Sequence, residues 1–278
     1  MEHAAHDTRY YVDVVAEAGE LLRAFTASPY RFTLTELSLV TGLSKNKTFR
    51  LLYTLTQTGF VHQDVETKRY SLGLPVLYLA SALQASNELL LAARDTLDWL
   101  QDTVGERINL GGFDGADHAV CVDTRESSRR MQVSAYVGAR FPLHAGAVPK
   151  ALLAFSTDDA IAQYLERNLP LRAFTSRTAQ TAGDLWEEIH TIRQQGMAIS
   201  DEDLDDGVGA VAMPIFDRTG AVVAAVSIAT PMARFGPDDR EGYEQALHKA
   251  SERISRSLGF VAMPGRRIVK QGFPYALG

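Results

Sequence analysis

Residues 33–55 read TLTELSLVTGLSKNKTFRLLYTL, and this stretch decides how the rest of the chain is to be understood. Thr33 and Glu36 stand at the spacing of a capping box, in which the hydroxyl takes an orphan N–H of the first turn and the carboxylate reaches back to the cap. A helix therefore opens after Thr33, with Leu34, Leu37 and Val40 expected to face inward. Gly42 allows a tight turn, Leu43 anchors it, and Ser44 is a suitable N-cap for the next helix. There Thr48, Leu51, Leu52 and Leu55 fall at i, i+3, i+4 and i+7, which makes a buried stripe. The opposite face carries Lys45, Asn46, Phe49, Arg50 and Tyr53, with Lys47 beside it.

An apolar ring on an otherwise polar, basic helix face is unusual for a helix that is merely solvated. It suits a major groove, where a ring can touch a thymine methyl, Asn46 and Arg50 can reach base edges, and Lys45 and Lys47 can reach phosphates. The bland alternative is a charged surface helix with Phe49 packed on a neighbour. Downstream, Phe60–Gln63 and Arg69–Leu72 alternate as strands around the polar loop 64–68, the pattern of a hairpin wing. Lys68 and Arg69 would lie along the sugar-phosphate backbone, although Asp64 and Glu66 weaken that charge. Upstream, Val12, Val15, Ala18, Leu22 and Phe25 recur at helical spacing and predict a scaffold helix that ends near Ser28-Pro29. Together these elements predict a winged helix-turn-helix. Its candidate DNA-contacting residues are Thr33, Ser44, Lys45, Asn46, Lys47, Phe49, Arg50 and Tyr53, with Lys68 and Arg69 in the wing.

Charge is distributed in a way that fits. The 278 residues carry 28 Lys and Arg against 34 Asp and Glu, a formal net charge of −6. Residues 1–85 hold eight of each sign, so the whole deficit lies downstream and the positive charge of the N-terminal part is concentrated on the two candidate DNA-contacting elements. A local excess of positive charge on a net-acidic chain points to a polyanion-facing surface. The length suits about two domains at roughly 100–200 residues each. No apolar run approaches the ~20 residues of a membrane span, and the opening MEHAAHDTRYY lacks a basic segment followed by an apolar core, so a cytoplasmic protein without membrane contact is expected. The single cysteine, Cys121, excludes an intramolecular disulfide and a cysteine-rich zinc site. Its neighbours Ala119, Val120 and Val122 read as a buried strand in which it acts as a small apolar residue.

Beyond the wing, Leu74, Leu77, Ala80 and Leu83, then Leu90, Ala93, Leu97 and Leu100, keep a helical period with a break at Ser86-Asn87. Such a helix either packs on its own domain or forms a seam with a second chain. Strands are expected at 107–113, 118–123, 132–136, 197–200, 209–216 and 222–229, and helices at 147–155, 158–168, 184–195 and 237–258. Grouped helices between runs of strands indicate an α+β sheet domain.

The order Thr33-Leu34-Thr35-Glu36-Leu37, Gly42-Leu43-Ser44-Lys45, Arg50-Leu51-Leu52, Leu55, Gly59-Phe60-Val61 and Arg69-Tyr70 with Leu72-Gly73 resembles the isocitrate-lyase-regulator (IclR) family of bacterial transcription factors. The likeness continues through about residue 258. It implies a winged helix-turn-helix at 8–73, a linker helix at 74–87 and a GAF-like effector-binding domain at 88–260, and the residues beyond it, 261–278, read as a basic tail. It also implies assembly as a homodimer or dimer of dimers on double-stranded operator DNA, and a small-molecule effector with a carboxylate. Three segments resemble the family's pocket: 144–151 around Gly146 and Ala147, the acidic run 200–208, and 225–229. By this register the pocket aspartate becomes Ser200, the pocket cysteine becomes Ala210, and of two strand serines Ser227 is kept while the other becomes Ala229. Fewer polar partners and more room imply an effector larger and less polar than a two-carbon oxoacid, such as an aromatic or hydroxylated organic acid. The rival reading is a ligand-free domain used for oligomerisation or protein interaction.

Other constellations are weaker. The carboxylates among 201–206 match no EF-hand spacing and read as a solvated acidic turn. His144, Lys150 and Ser227 lack the G-x-S-x-G elbow of a hydrolase, and no phosphate-cradling G-x-x-x-x-G-K-[ST] loop occurs, so no catalytic residue, metal or cofactor is expected. The tail around Arg266, Arg267 and Lys270 reads as a terminus, or as an accessory contact to DNA or to a neighbouring subunit.

Overall fold

The structure, a computed structural model, describes residues 10–26 and 28–261, so the basic tail lies outside the described residues. The chain divides into two compact units, 1–86 and 87–278.

The first unit holds α1 (Asp13–Ala24), α2 (Leu34–Thr41), α3 (Lys45–Gln57), the antiparallel hairpin β1 (Val61–Gln63) and β2 (Tyr70–Leu72), and α4 (Pro75–Ser86). The capping box is present in full: Thr33 Oγ1 accepts from Glu36 N–H at 3.3 Å and Thr33 N–H donates to Glu36 Oε2 at 2.6 Å. Gly42 ends α2 at φ 70°, a left-handed conformation that favours glycine, and the Ser44 hydroxyl caps α3 by accepting from Lys47 N–H. Leu21, Phe25, Phe32, Leu37, Leu51, Leu52, Val61 and Tyr70 form the core, with Phe25 and Phe32 edge to face at 5.8 Å. Two expectations fail here. Val40 is exposed, because the two-turn helix α2 offers one face and Leu37 occupies it. In α1 the packing begins at Ala18 and runs through Leu21, Leu22 and Phe25, so Val12 and Val15 lie outside the core cluster. Phe32 also exchanges both backbone hydrogen bonds with Tyr70, which ties the segment before α2 to the wing.

The second unit is built on a six-stranded antiparallel sheet. Its elements are α5 (Glu88–Val104), β3 (Arg107–Asp114), β4 (His118–Arg125), β5 (Arg140–Pro142), α6 (Ala147–Ala154), α7 (Asp158–Asn168), α8 (Ala182–Gln195), β6 (Ala198–Asp201), β7 (Val208–Phe216), β8 (Val222–Pro231), a short 3-10 turn and α9 (Pro237–Ser257). The strand order is β5-β4-β3-β8-β7-β6. Alternation along each strand feeds two cores. Ile108, Leu110, Val211, Val226 and Ile228 pack with α5 and α9, while Ala119, Ala210, Ala212, Ala225 and Ala229 turn to the face covered by α6, α7 and α8. The α+β class, with a helix-turn-helix unit followed by a mixed α/β sheet domain, is thus observed. Residues 132–136 are not a strand. The ladder position beside β4 is taken by β5 and by Gly138 and Ala139, whose backbone pairs with Cys121, and the segment 132–136 carries no ladder hydrogen bonds while Val133 packs against the core. Among the described residues no single helix is long and apolar enough to cross a membrane.

Candidate DNA-contacting face and effector cavity

On α3 the buried stripe is Thr48, Leu51 and Leu52, with Leu55 half-buried, and the opposite face is open: Lys45, Asn46, Phe49, Arg50 and Tyr53 are all exposed. Phe49 and Tyr53 lie one turn apart with ring centroids at 6.4 Å, a paired aromatic patch. Two of the cations assigned to phosphates are already engaged. Lys47 is ion-paired with Glu17 of α1, and Arg69 Nη1 donates to Arg31 O at 2.9 Å and to Glu36 Oε2 at 3.2 Å, which locks the wing to the N-terminus of α2. Lys45, Arg50 and Lys68 carry no ion pair among the described residues, so the uncompensated positive charge is narrower than the sequence suggests. Thr33 and Ser44 serve as helix caps, and Lys68 sits at φ 55° in the wing turn.

On the α6 side of the sheet of the second unit is a cavity of about 260 Å³. Its floor is the sheet: Asn109 and Gly111 from β3, Ala119 and Cys121 from β4, Ser227 and Ala229 from β8, Ala210 from β7 and Ser200 from β6. Its walls are Gly146, Ala147, Val148 and Pro149 at the start of α6, the segment 133–141, and Leu204, Asp205 and Val208. All six sequence-assigned pocket residues are therefore brought together. Gly111 has a steric role, because a Cβ there would lie 2.5 Å from Val148 Cγ1, so glycine lets α6 rest on β3. Asn109 Nδ2 donates to Ser227 Oγ at 3.5 Å, and Thr124 Oγ1 lies 3.1 Å from Asn109 Oδ1. Burial pushes the Cys121 thiol up to about 11, which keeps it protonated and apolar in character, as its strand setting implied.

The acidic run departs from the expected solvated turn. Asp201 and Glu202 pair with Arg177 at the surface, but Asp203 is buried. One Asp203 oxygen accepts from Gly146 N–H at 3.3 Å and from the Ser200 hydroxyl, and the other is ion-paired with Lys150, which also meets Glu188 Oε2 at 2.9 Å. Burial opposes charge on Lys150, yet the two carboxylates outweigh it and raise its pKa. Ser200 therefore does not stand alone where the resemblance places an aspartate: Asp203, three residues on, brings a carboxylate to the same hydroxyl. Neither Lys150 nor His144 is free for acid–base work. His144 is buried with Nδ1 at 2.6 Å from the Tyr164 hydroxyl and Nε2 at 2.9 Å from Arg172 O, so Nε2–H donates to the carbonyl and Nδ1 accepts from the phenol.

Residues 14–65 match the family described as the IclR helix-turn-helix domain, and residues 81–256 match that described as Bacterial transcriptional regulator IclR C-terminal. The chain belongs to the IclR family. The HTH-type transcriptional regulator KdgR of Escherichia coli is 31% identical over 231 residues, covering 83% of this chain and 87% of KdgR. Among solved structures, an IclR-type regulator from Alicyclobacillus acidocaldarius is 25% identical with a TM-score of 0.83, covering 90% of this chain and 100% of its own. An IclR homolog from Microbacterium hydrocarbonoxydans, solved in complex with 4-hydroxybenzoate, is 19% identical with a TM-score of 0.75, covering 88% and 99%; at that identity it speaks for the fold. This protein is accordingly a transcriptional regulator of the IclR family with a DNA-binding helix-turn-helix and an effector-binding C-terminal domain.

Proposed function

We propose that this IclR-family regulator works as a homodimer or dimer of dimers whose operator affinity is set by a small organic acid of aromatic or hydroxylated type. The observation that carries this reading is the composition of the cavity. Ala119, Ala210 and Ala229 of the floor and Val133 of the wall supply apolar surface, and the polar side chains Asn109, Ser200 and Ser227 share the floor with them. A volume of about 260 Å³ sits just under the roughly 300–1,000 Å³ of drug-sized sites, which suits a single-ring acid and leaves a two-carbon acid under-packed. The neighbour that holds 4-hydroxybenzoate shares the fold and gives this ligand class a concrete representative.

On the DNA side, Asn46, Phe49 and Arg50 read base edges from the open face of α3 while Lys45 and Lys68 meet phosphates. Effector binding changes how the two winged units of a dimer can be placed, and so the half-site spacing they span. The test is binding of the purified protein to its own upstream DNA with and without a panel of aromatic and hydroxylated acids, paired with thermal-shift measurements. A panel acid that both stabilises the protein and changes operator affinity supports the reading. Operator binding that no acid alters, with no thermal shift across the panel, favours the ligand-free oligomerisation domain instead.

A further inference from the structure

We infer that Arg107 is the charge partner of the effector's acidic group, so that the acid lies with its carboxylate toward the β3–β4 end of the cavity and away from the N-terminus of α6. The inference rests on the effector reading above and adds an orientation and a specificity-determining residue.

Arg107 opens β3 and is 4% exposed. Among the described residues it has no ion pair, and its buried Nε has no hydrogen-bond partner. Its Nη1 donates to Thr124 Oγ1 at 3.2 Å and to Ala135 O at 3.1 Å, neither of which carries a charge. A guanidinium taken out of water without an anion is costly, and such a group is retained where something supplies the missing charge. Arg107 does not itself line the cavity, but its neighbours do, which places it just behind the lining. Ala135 lines the wall, Asn109 two residues along the strand lines the floor, Ala229 is its register partner on β8, and its field reaches the lining thiol of Cys121.

The opposite end already carries a carboxylate. At the start of α6 the Gly146 N–H is taken by Asp203, and the cluster there sets two carboxylates, the buried Asp203 and the half-exposed Glu188, against one cation, Lys150. A second carboxylate brought to that end meets like charge. Arg140, the one cationic residue on the cavity wall among the described residues, is spent on Asp114. That leaves the Arg107 guanidinium, buried behind the lining, as an uncompensated positive charge beside the cavity, in a low-dielectric setting where it attracts an anion more strongly than a surface cation could.

The test uses the full-length protein with 4-hydroxybenzoate and a set of aromatic monoacids, each matched with its uncharged primary amide, measured by calorimetry and thermal shift. Wild type is expected to prefer an acid to its amide by about tenfold or more, the scale of a charge-assisted hydrogen bond. Arg107→Gln should abolish that preference while leaving amide binding nearly unchanged, and Arg107→Lys should keep the preference at reduced affinity. Without ligand, Arg107→Gln should unfold at the same or a higher temperature, because a buried charge with no partner has been removed. Acid binding by Arg107→Gln that equals wild type overturns this inference alone and leaves the effector reading standing. A ligand-free variant that unfolds earlier and loses acid and amide alike makes Arg107 a structural residue, which also overturns it. No acid of the set binding to wild type overturns the effector reading and this inference together.

Discussion

On the first two turns of α3, Arg50 and Asn46 have forked ends that can hydrogen-bond two atoms of one base, so their substitution should change which sequence is preferred. Arg50→Ala is expected to cost about 1–3 kcal/mol at the best operator and to relax preference at one base pair. Lys45→Ala should instead weaken all sequences alike and reduce the slope of log affinity against log salt by about 1. Lys47 is a poorer probe, because its ion pair with Glu17 ties α3 to α1 and its loss mixes DNA contact with domain packing. Salt-titrated gel shifts on scrambled and cognate DNA separate these effects, and unchanged preference in Arg50→Ala removes that residue from base reading. In the second unit, His144 gives a pH signature. Burial lowers its pKa from the ordinary 6.5, so below that value the unfolded chain takes up a proton that the folded chain refuses. Stability is therefore complete above pH 6.5 and declines as pH falls toward the depressed value. The unfolding midpoint of wild type should drop more between pH 6.5 and lower pH than that of His144→Gln. Since His118 is depressed by burial in the same direction, the difference between the two proteins, not the wild-type slope, isolates His144.

At the scale of elements, the junction of α6 with the turn after β6 depends on one carboxylate. Asp203 joins Gly146 N–H, the Ser200 hydroxyl and Lys150, so Asp203→Ala leaves a buried ammonium with only the half-exposed Glu188 and an amide without a partner. A loss of about 1–3 kcal/mol in chemical denaturation is expected, with Asp203→Asn losing less. Equal stability of Asp203→Ala and wild type shows that the network is dispensable. Nothing in the run 201–206 marks Asp203 apart from its neighbours, because two of its three partners, Lys150 and Gly146, lie 53 and 57 positions upstream and only the fold brings them together. The same limit applies to Arg107, which as the first residue of a strand gives no hint that its charge stays unpaired. Local features were legible: the capping box, the Gly42 turn, the α3 stripe and the β6–β7–β8 run follow from spacing alone. Where a segment competes for a place, spacing fails. Residues 132–136 alternate well enough for a strand, but β5 holds the ladder beside β4. Val40 keeps the helical period, yet α2 is too short to bury a second face.

At the scale of the whole molecule, an acid that changes operator affinity must have its own affinity changed by operator DNA through the same factor, expected at about 5- to 150-fold. What carries that coupling through an assembly depends on which surfaces join the copies. In α4 no residue is buried within the chain, and Leu77, Tyr78, Leu79 and Leu83 are all at least half exposed. A run of apolar side chains this open on a helix of 12 residues has a solvation cost that a second copy's equivalent helix can remove, and a two-fold pair of winged units then matches a near-palindromic operator. Leu79→Glu puts a charge into that seam without touching either core. Its thermal unfolding in the monomer range should stay close to wild type, because Leu79 is 60% exposed already. Sedimentation should show a dissociation midpoint raised by about tenfold or more, and binding to a full operator should fall toward that of a half-site. Should Leu79→Glu sediment and bind operator as wild type does, α4 is not the seam between copies.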